Sequence, residues 1–142
     1  MKQKTSKRLA EIVNALPLEN GVRVLEIGCG TGVAAREIAN RIGNGKSLAI
    51  DRSKKSIDVA IKLSKAEIDK GTVQFVQAKI EEFELPAHEQ LYDFAFAIRV
   101  GALDGRHPEI EDGALRKIAK ALKINGKLFI DGGNPIKEIK LK

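Results

Sequence analysis

Two hydrophobic periods alternate along the chain. Within residues 5–16, Leu9, Ile12, Val13 and Leu16 share one helical face, and Pro17 predicts the end of that helix. Asn20 and Gly21 read as a turn into a short apolar strand, VRVLEI, over 22–27. Helical spacing returns over 32–42, with Ile38 and Ile42 four apart, and GNG at 43–45 closes it. SLAI, 47–50, is a second strand ending at Asp51. Ser53 is the expected N-cap of a helix over 54–70 whose apolar face carries Ile57, Ile61 and Ile68, with Gly71 as its stop. VQFVQ, 73–77, predicts a third strand, 78–90 a loop with one helical turn, and YDFAFAI, 92–98, a fourth strand. Pro108 suits the start of another helix, carrying Leu115, Ile118, Ala119 and Leu122, and NG at 125–126 leads into a fifth strand, KLFI, 127–130.

Strands separated by helices imply parallel pairing through right-handed crossovers. Strands that are apolar throughout imply a sheet covered on both faces. The expected fold is α/β: a doubly wound, mostly parallel sheet of about five strands in one domain over residues 1–142. After the fifth strand only GGNPIKEIKLK, 132–142, remains, too short for a crossover helix and two more strands. At most one short, lysine-rich edge strand is expected there, over IKLK at 139–142.

Composition narrows the class. With 43% hydrophobic and 31% charged residues the chain reads as a soluble globule, and it has no apolar run of the roughly 18 residues that suggest a membrane span. The N-terminus lacks the apolar core and cleavage site of a signal peptide. A single cysteine, Cys29, allows no internal disulfide and fits a reducing compartment, so a cytoplasmic location is expected. The net charge of +6 resides at the two ends, in Lys2, Lys4, Lys7, Arg8, Lys137, Lys140 and Lys142 against Glu138. Such ends allow contact with nucleic acid, but with no Trp and one Tyr there is no platform for stacking bases. Two His and one Cys, widely spaced, make no metal site.

The chemistry concentrates in VLEIGCGTG, Val24 to Gly32, where a lone acid, Glu26, is followed by Gly28, Gly30 and Gly32. In a doubly wound sheet, ligands bind outside the carboxyl ends of the strands, and this loop lies there. Glycine permits sharp turns and close backbone approach, and the helix behind offers unpaired N–H groups. The spacing is not the dinucleotide fingerprint G-x-G-x-x-G, because Val33 stands at its third glycine, and the G-x-x-x-x-G-K-[ST] phosphate loop is absent. A charged Glu26 would also repel a pyrophosphate and suit a ligand with a positive centre.

VLEIGCGTG resembles the first motif, E/D-x-G-x-G-x-G, of class I S-adenosyl-L-methionine-dependent methyltransferases. LAIDRS, VQFVQAKIEEF, YDFAFAIRV and LKINGKLFID are similar to the later motifs, so the resemblance covers about residues 8–131. It implies a Rossmann-like methyltransferase fold with the C-terminal hairpin missing or reduced, and S-adenosyl-L-methionine as cofactor. It places Glu26 near the methionine part, Gly28, Cys29, Gly30 and Gly32 in the cradle, Asp51 on the ribose hydroxyls, and Arg52 along the adenine edge. Cys29 itself reads as a small filler whose backbone matters. The family's acid after strand three is replaced here by Ala78 or Lys79, leaving the adenine contact to Lys79, the Ile80 backbone or Glu81. Ile98 ends strand four at the cofactor. The following loop, RVGALDGRH, faces the transferable methyl in this family, which makes Arg99, Asp104 and His107 the local catalytic candidates; it lacks the N/D-P-P-Y motif of amino-methylating nucleic-acid enzymes.

The resemblance implies methyl transfer by in-line displacement, with a small molecule as the default acceptor. A preactivated methyl needs mainly alignment and exclusion of water, which fits a clear cofactor motif without a clear catalytic residue. The alternative is a non-catalytic cofactor-binding or regulatory subunit. The open sheet edge leaves room for a homodimer mate or partner subunit. A nucleotide-binding oxidoreductase is a weaker reading, opposed by Val33 and Glu26.

Overall fold

The computed structural model describes residues 6–141, so Thr5 of the first expected helix and Lys2, Lys4 and Lys142 of the basic ends lie outside the described residues. The chain runs α1 (Lys7–Ala15), β1 (Arg23–Ile27), α2 (Val33–Ala39), β2 (Lys46–Asp51), α3 (Lys54–Leu63), α4 (Lys65–Asp69), β3 (Val73–Gln77), a 3-10 turn (Ile80–Glu82), β4 (Tyr92–Ala97), α5 (Pro108–Ala121), β5 (Leu122–Asp131) and β6 (Ile136–Ile139). One six-stranded sheet has the order β3-β2-β1-β4-β5-β6. The first five strands are parallel and β6 is antiparallel to β5. Among the described residues, no helix is long and apolar enough to cross a membrane.

Alternation along each strand feeds two layers. On one face Leu25, Ile27, Leu48, Ile50, Ala95 and Leu128 meet Ala114, Ile118 and Ala121 of α5. On the other, Val24, Phe94 and Phe96 meet Val13 and Leu16 of the α1 end and Ala34 and Ile38 of α2. Beside them Ala49, Val73 and Phe75 meet Ala35, Ile57 and Ala60. The order turns outward in both directions from β1 and β4, so the crevice opens at the carboxyl ends of those two strands.

Several expected boundaries move, each for a local reason. The first helix begins at Lys7 because Ser6 caps it, its Oγ accepting the Leu9 amide at 3.1 Å. Ser53 caps α3 as expected, its Oγ accepting from the Ser56 amide at 3.2 Å. The helix expected over 54–70 breaks at Ser64, whose φ of −115° and ψ of +24° leave the helical basin. The Ser64 hydroxyl is buried and accepts from Arg36 Nη1 at 3.0 Å, a tertiary bond invisible to periodicity. Ile61, assigned to the buried face, is 43% exposed, since Ile57 and Ala60 occupy that face. Leu122, expected on the helix, starts β5, and a register shift absorbs the residues up to Lys127. The last strand lies at Ile136–Ile139 and not at 139–142. Gly132, at φ +102°, turns the chain just after Asp131, and a Cβ on Gly133 would stand 2.1 Å from the Ile136 carbonyl oxygen. β6 thus folds back antiparallel onto β5, with Ile139 paired against Leu128.

Candidate cofactor site

The glycine loop begins where β1 stops. The amides of Gly28 and Cys29 both donate to the Ile50 carbonyl, at 2.8 and 3.0 Å, which folds the loop toward β2. Gly28, Gly30 and Gly32 all have positive φ, at +76°, +54° and +89°. Their surroundings differ. A Cβ on Gly28 would strike Val100 Cγ2 at 2.6 Å, and one on Gly32 would crowd Arg36, Phe75 and Ala60 at 2.9–3.2 Å. A Cβ on Gly30 would meet nothing within 4 Å. The Gly30 backbone therefore faces open space, and packing does not explain its glycine. Gly30→Ala is expected to fold at a cost of about 1 kcal/mol for the left-handed conformation, yet to weaken cofactor binding roughly tenfold. Thermal melting and ligand titration of the one variant check both halves.

Asp51, at the end of β2, closes the loop from the far side. Its Oδ2 accepts the Gly30 amide and its Oδ1 the Ser53 amide, each at 2.8 Å. Each oxygen keeps a second lone pair, so a vicinal diol can still be bound by both.

A cavity of about 300 Å³ opens beside this carboxylate. Of the residues expected at the cofactor, Gly28, Asp51, Arg52, Lys79 and Ile80 line it, as do Glu81 and, from the loop after β4, Arg99 and His107. Glu26, Cys29, Gly30, Gly32, Ile98 and Asp104 do not. Ile98 packs against the α1 and α2 side, and the Asp104 carboxylate is held by Arg106 Nε at 3.0 and 2.9 Å. That bond and the charge of Arg106 draw the Asp104 carboxyl below its ordinary value. His107 precedes α5, and its ring lies where a Cβ on Gly101 would stand, 2.5 Å away; its Nδ1 lies 3.5 Å from Glu109. Cys29 is buried beside Ala35, Ala60 and Phe75, and burial, with Glu26 and Asp51 nearby, pushes its thiol up, consistent with filler and not nucleophile.

Glu26 sits behind the loop, 3% exposed, and among the described residues its Oε1 has no hydrogen-bond partner. Burial, and then the charge of Asp51, raises its carboxyl to about 8, against the pull of Arg36. It is therefore mostly protonated at neutral pH. Burial thus disfavours the charged form of Glu26, which leaves the G-x-G-x-G spacing as the firmer argument against a dinucleotide.

Periodicity did not single out Arg36 or Arg106. Arg36 is only 6% exposed, and its Nη1 donates to the Thr31 carbonyl at 2.8 Å as well as to Ser64. It is a buried strut under the glycine loop, and an arginine four residues after Gly32, one turn into α2, was the available signal. Arg106 lines the cavity and its Nη2 donates to the Arg99 carbonyl at 2.7 Å.

A doubly wound sheet, a left-handed glycine loop and a carboxylate closing it at the switch point together define the class: an α/β protein with its ligand crevice above β1, β2 and β4. The profile of the methyltransferase domain family matches residues 18–140. The chain is 30% identical over 126 residues to an O-methyltransferase of Pyrenophora dematioidea, an overlap of 89% of this chain and 45% of that protein. It is also 30% identical over 119 residues to the cypemycin N-terminal methyltransferase of a Streptomyces species, covering 84% and 44%. Phosphoethanolamine N-methyltransferase 2 of Haemonchus contortus, solved in complex with S-adenosyl-L-methionine, superposes with a TM-score of 0.68 at 27% identity, over 87% of this chain and 27% of that one. The chain belongs to the methyltransferase domain family, within the class I S-adenosyl-L-methionine-dependent methyltransferases. It spans about half the length of the curated relatives it matches.

Proposed function

We propose that this chain binds S-adenosyl-L-methionine in the crevice beside Asp51 and serves its transfer as a methyl donor to a small-molecule acceptor. The observation that carries this reading is the pairing of Gly30 and Asp51: a left-handed glycine facing open space, tied by its amide to a carboxylate with spare acceptor capacity on both oxygens. The donor set fits the group. Asp51 suits two ribose hydroxyls, Ile80 and Ala78 offer apolar lining, and Lys79 lines the same cavity. Of the catalytic candidates, Arg99 and His107 stay in play because they line the cavity, whereas Asp104 serves Arg106.

When bound, the cofactor supplies a methyl carbon on a positively charged sulfur, already activated toward a nucleophile. The protein's task is then orientation. Val100 packs against the Gly28 backbone at the crevice, and Ile27 and Ile50 add apolar lining beside them. His107, among the residues lining the cavity, would take a proton from an acceptor that arrives protonated.

Calorimetric titration with S-adenosyl-L-methionine and with S-adenosyl-L-homocysteine tests the reading. Micromolar binding is expected. In Asp51→Ala, losing two charge-assisted hydroxyl bonds should weaken it by roughly a hundredfold. A folded wild-type protein that binds neither ligand would remove the proposal.

A further inference from the structure

Arg99 is held in a conformation that arginine does not choose. Its φ of +56° makes it the one non-glycine residue with positive φ among the described residues. An L-residue held there carries strain that the surroundings must impose. Two bonds impose it. The Arg99 amide donates to Asp131 Oδ1 at 3.0 Å, and the Arg99 carbonyl accepts from Arg106 Nη2 at 2.7 Å. Each partner is itself anchored: Asp131 Oδ2 accepts from Arg8 Nη2 at 2.8 Å, and Arg106 grips Asp104. Burial would raise the Asp131 carboxyl, but the Arg99 amide and the Arg8 guanidinium outweigh it and hold it low, so this anchor stays charged at neutral pH.

The side chain contrasts with this backbone. Arg99 is among the residues lining the cavity and is exposed, and among the described residues no carboxylate or carbonyl pairs with its guanidinium. The acids on the cavity wall are Asp51, engaged by two amides, and Glu81. The same wall carries Arg52, Lys79, Arg99 and Arg106, so it has an excess of positive charge. A strained, doubly anchored backbone at the wall of a basic cavity, carrying a guanidinium with no protein partner, suits an anion receptor.

We propose that Arg99 is a specificity-determining residue that binds a carboxylate of the bound ligands. This deepens the proposed function and rests on it. Two carboxylates can reach such a site, that of the cofactor's amino-acid part and that of an acidic acceptor.

The test uses Arg99→Gly, which removes the fork and relieves the positive φ, so the variant should melt no lower than the wild type and misfolding cannot explain a loss. Binding of 5′-methylthioadenosine, which has no carboxylate, reports the cofactor crevice alone, and wild-type failure to bind it or S-adenosyl-L-homocysteine would strike the proposed function and not the role of Arg99. If the cofactor's carboxylate is the partner, S-adenosyl-L-homocysteine should weaken roughly ten- to a hundredfold in the variant while 5′-methylthioadenosine is unchanged. If an acceptor's carboxylate is the partner, both nucleosides should be unchanged. Wild type saturated with S-adenosyl-L-homocysteine should then prefer benzoate to benzamide, and the variant should lose that preference. Arg99→Lys, which keeps the charge without the fork, should fall between. Unchanged nucleoside binding together with no benzoate preference in the wild type, or a preference that survives in Arg99→Gly, would overturn the proposal.

Discussion

Replacing Arg36 with Met is expected to cost about 3–5 kcal/mol, a large share of the stability of an ordinary domain. Methionine conserves the bulk but not the charge or the donors. Arg36 is 6% exposed, and its guanidinium donates through Nη1 to the Thr31 carbonyl and the Ser64 hydroxyl. Burial lowers its affinity for a proton, and the charges of Glu67 and Glu26 oppose that. Removing it leaves the buried Ser64 hydroxyl and the part-buried Thr31 carbonyl without this donor and takes away the positive charge that faces both acids. Thr31 belongs to the glycine loop and Ser64 to the break between α3 and α4, so two segments should loosen together. Urea unfolding of wild type and variant measures the loss. A change within about 0.5 kcal/mol, the range of ordinary surface substitutions, would refute the strut.

Glu26 should make stability fall as pH rises. Its folded-state value is about 8 against an ordinary 4.5, so between those values the folded protein holds a proton that the unfolded chain has released. The direction follows from linkage. The stabilisation is complete below pH 4.5 and is lost as pH climbs toward 8, at a slope of about 1.4 kcal/mol per pH unit. Glu26→Gln has no such proton. The difference in stability between variant and wild type should therefore move in the variant's favour by about 2 kcal/mol from pH 5.5 to pH 7.5. A difference independent of pH would mean that Glu26 is ionised in the folded state. A cationic ligand close to this carboxylate would favour its charged form, so cofactor binding should release a proton and tighten as pH rises toward 8. Calorimetry in buffers of different ionisation enthalpy counts that proton directly.

The parts of the fold legible in the sequence are those fixed by short-range chemistry. Apolar runs marked β1 to β4, Ser53 and Pro108 marked the starts of α3 and α5, and G-x-G-x-G after a strand marked the crevice. Misplaced features each depended on a distant partner. Ser64 breaks a helix because Arg36, 28 residues earlier, claims its hydroxyl. Ile61 is exposed because Ala60 takes the inner face. The last strand starts three residues early because a tight turn at Gly132–Gly133 returns the chain onto β5 at once.

The candidate site divides the same way. Sequence alone determined the residues whose type has a local backbone reason: left-handed Gly28, Gly30 and Gly32, and an acid at the end of the second strand. It could not tell that Gly28 and Gly32 answer to packing and Gly30 to open space, nor that burial raises the Glu26 carboxyl, since burial and field are sums over neighbours brought together only by folding. The tertiary structure also decided which of Arg99, Asp104 and His107 reach the cavity. Asp104 is turned to Arg106, while Arg99 is pinned between that same arginine and Asp131, 32 residues further along the chain. Local propensity sets where a chain turns; which side chains face a common space is settled by contacts between segments that the sequence keeps far apart.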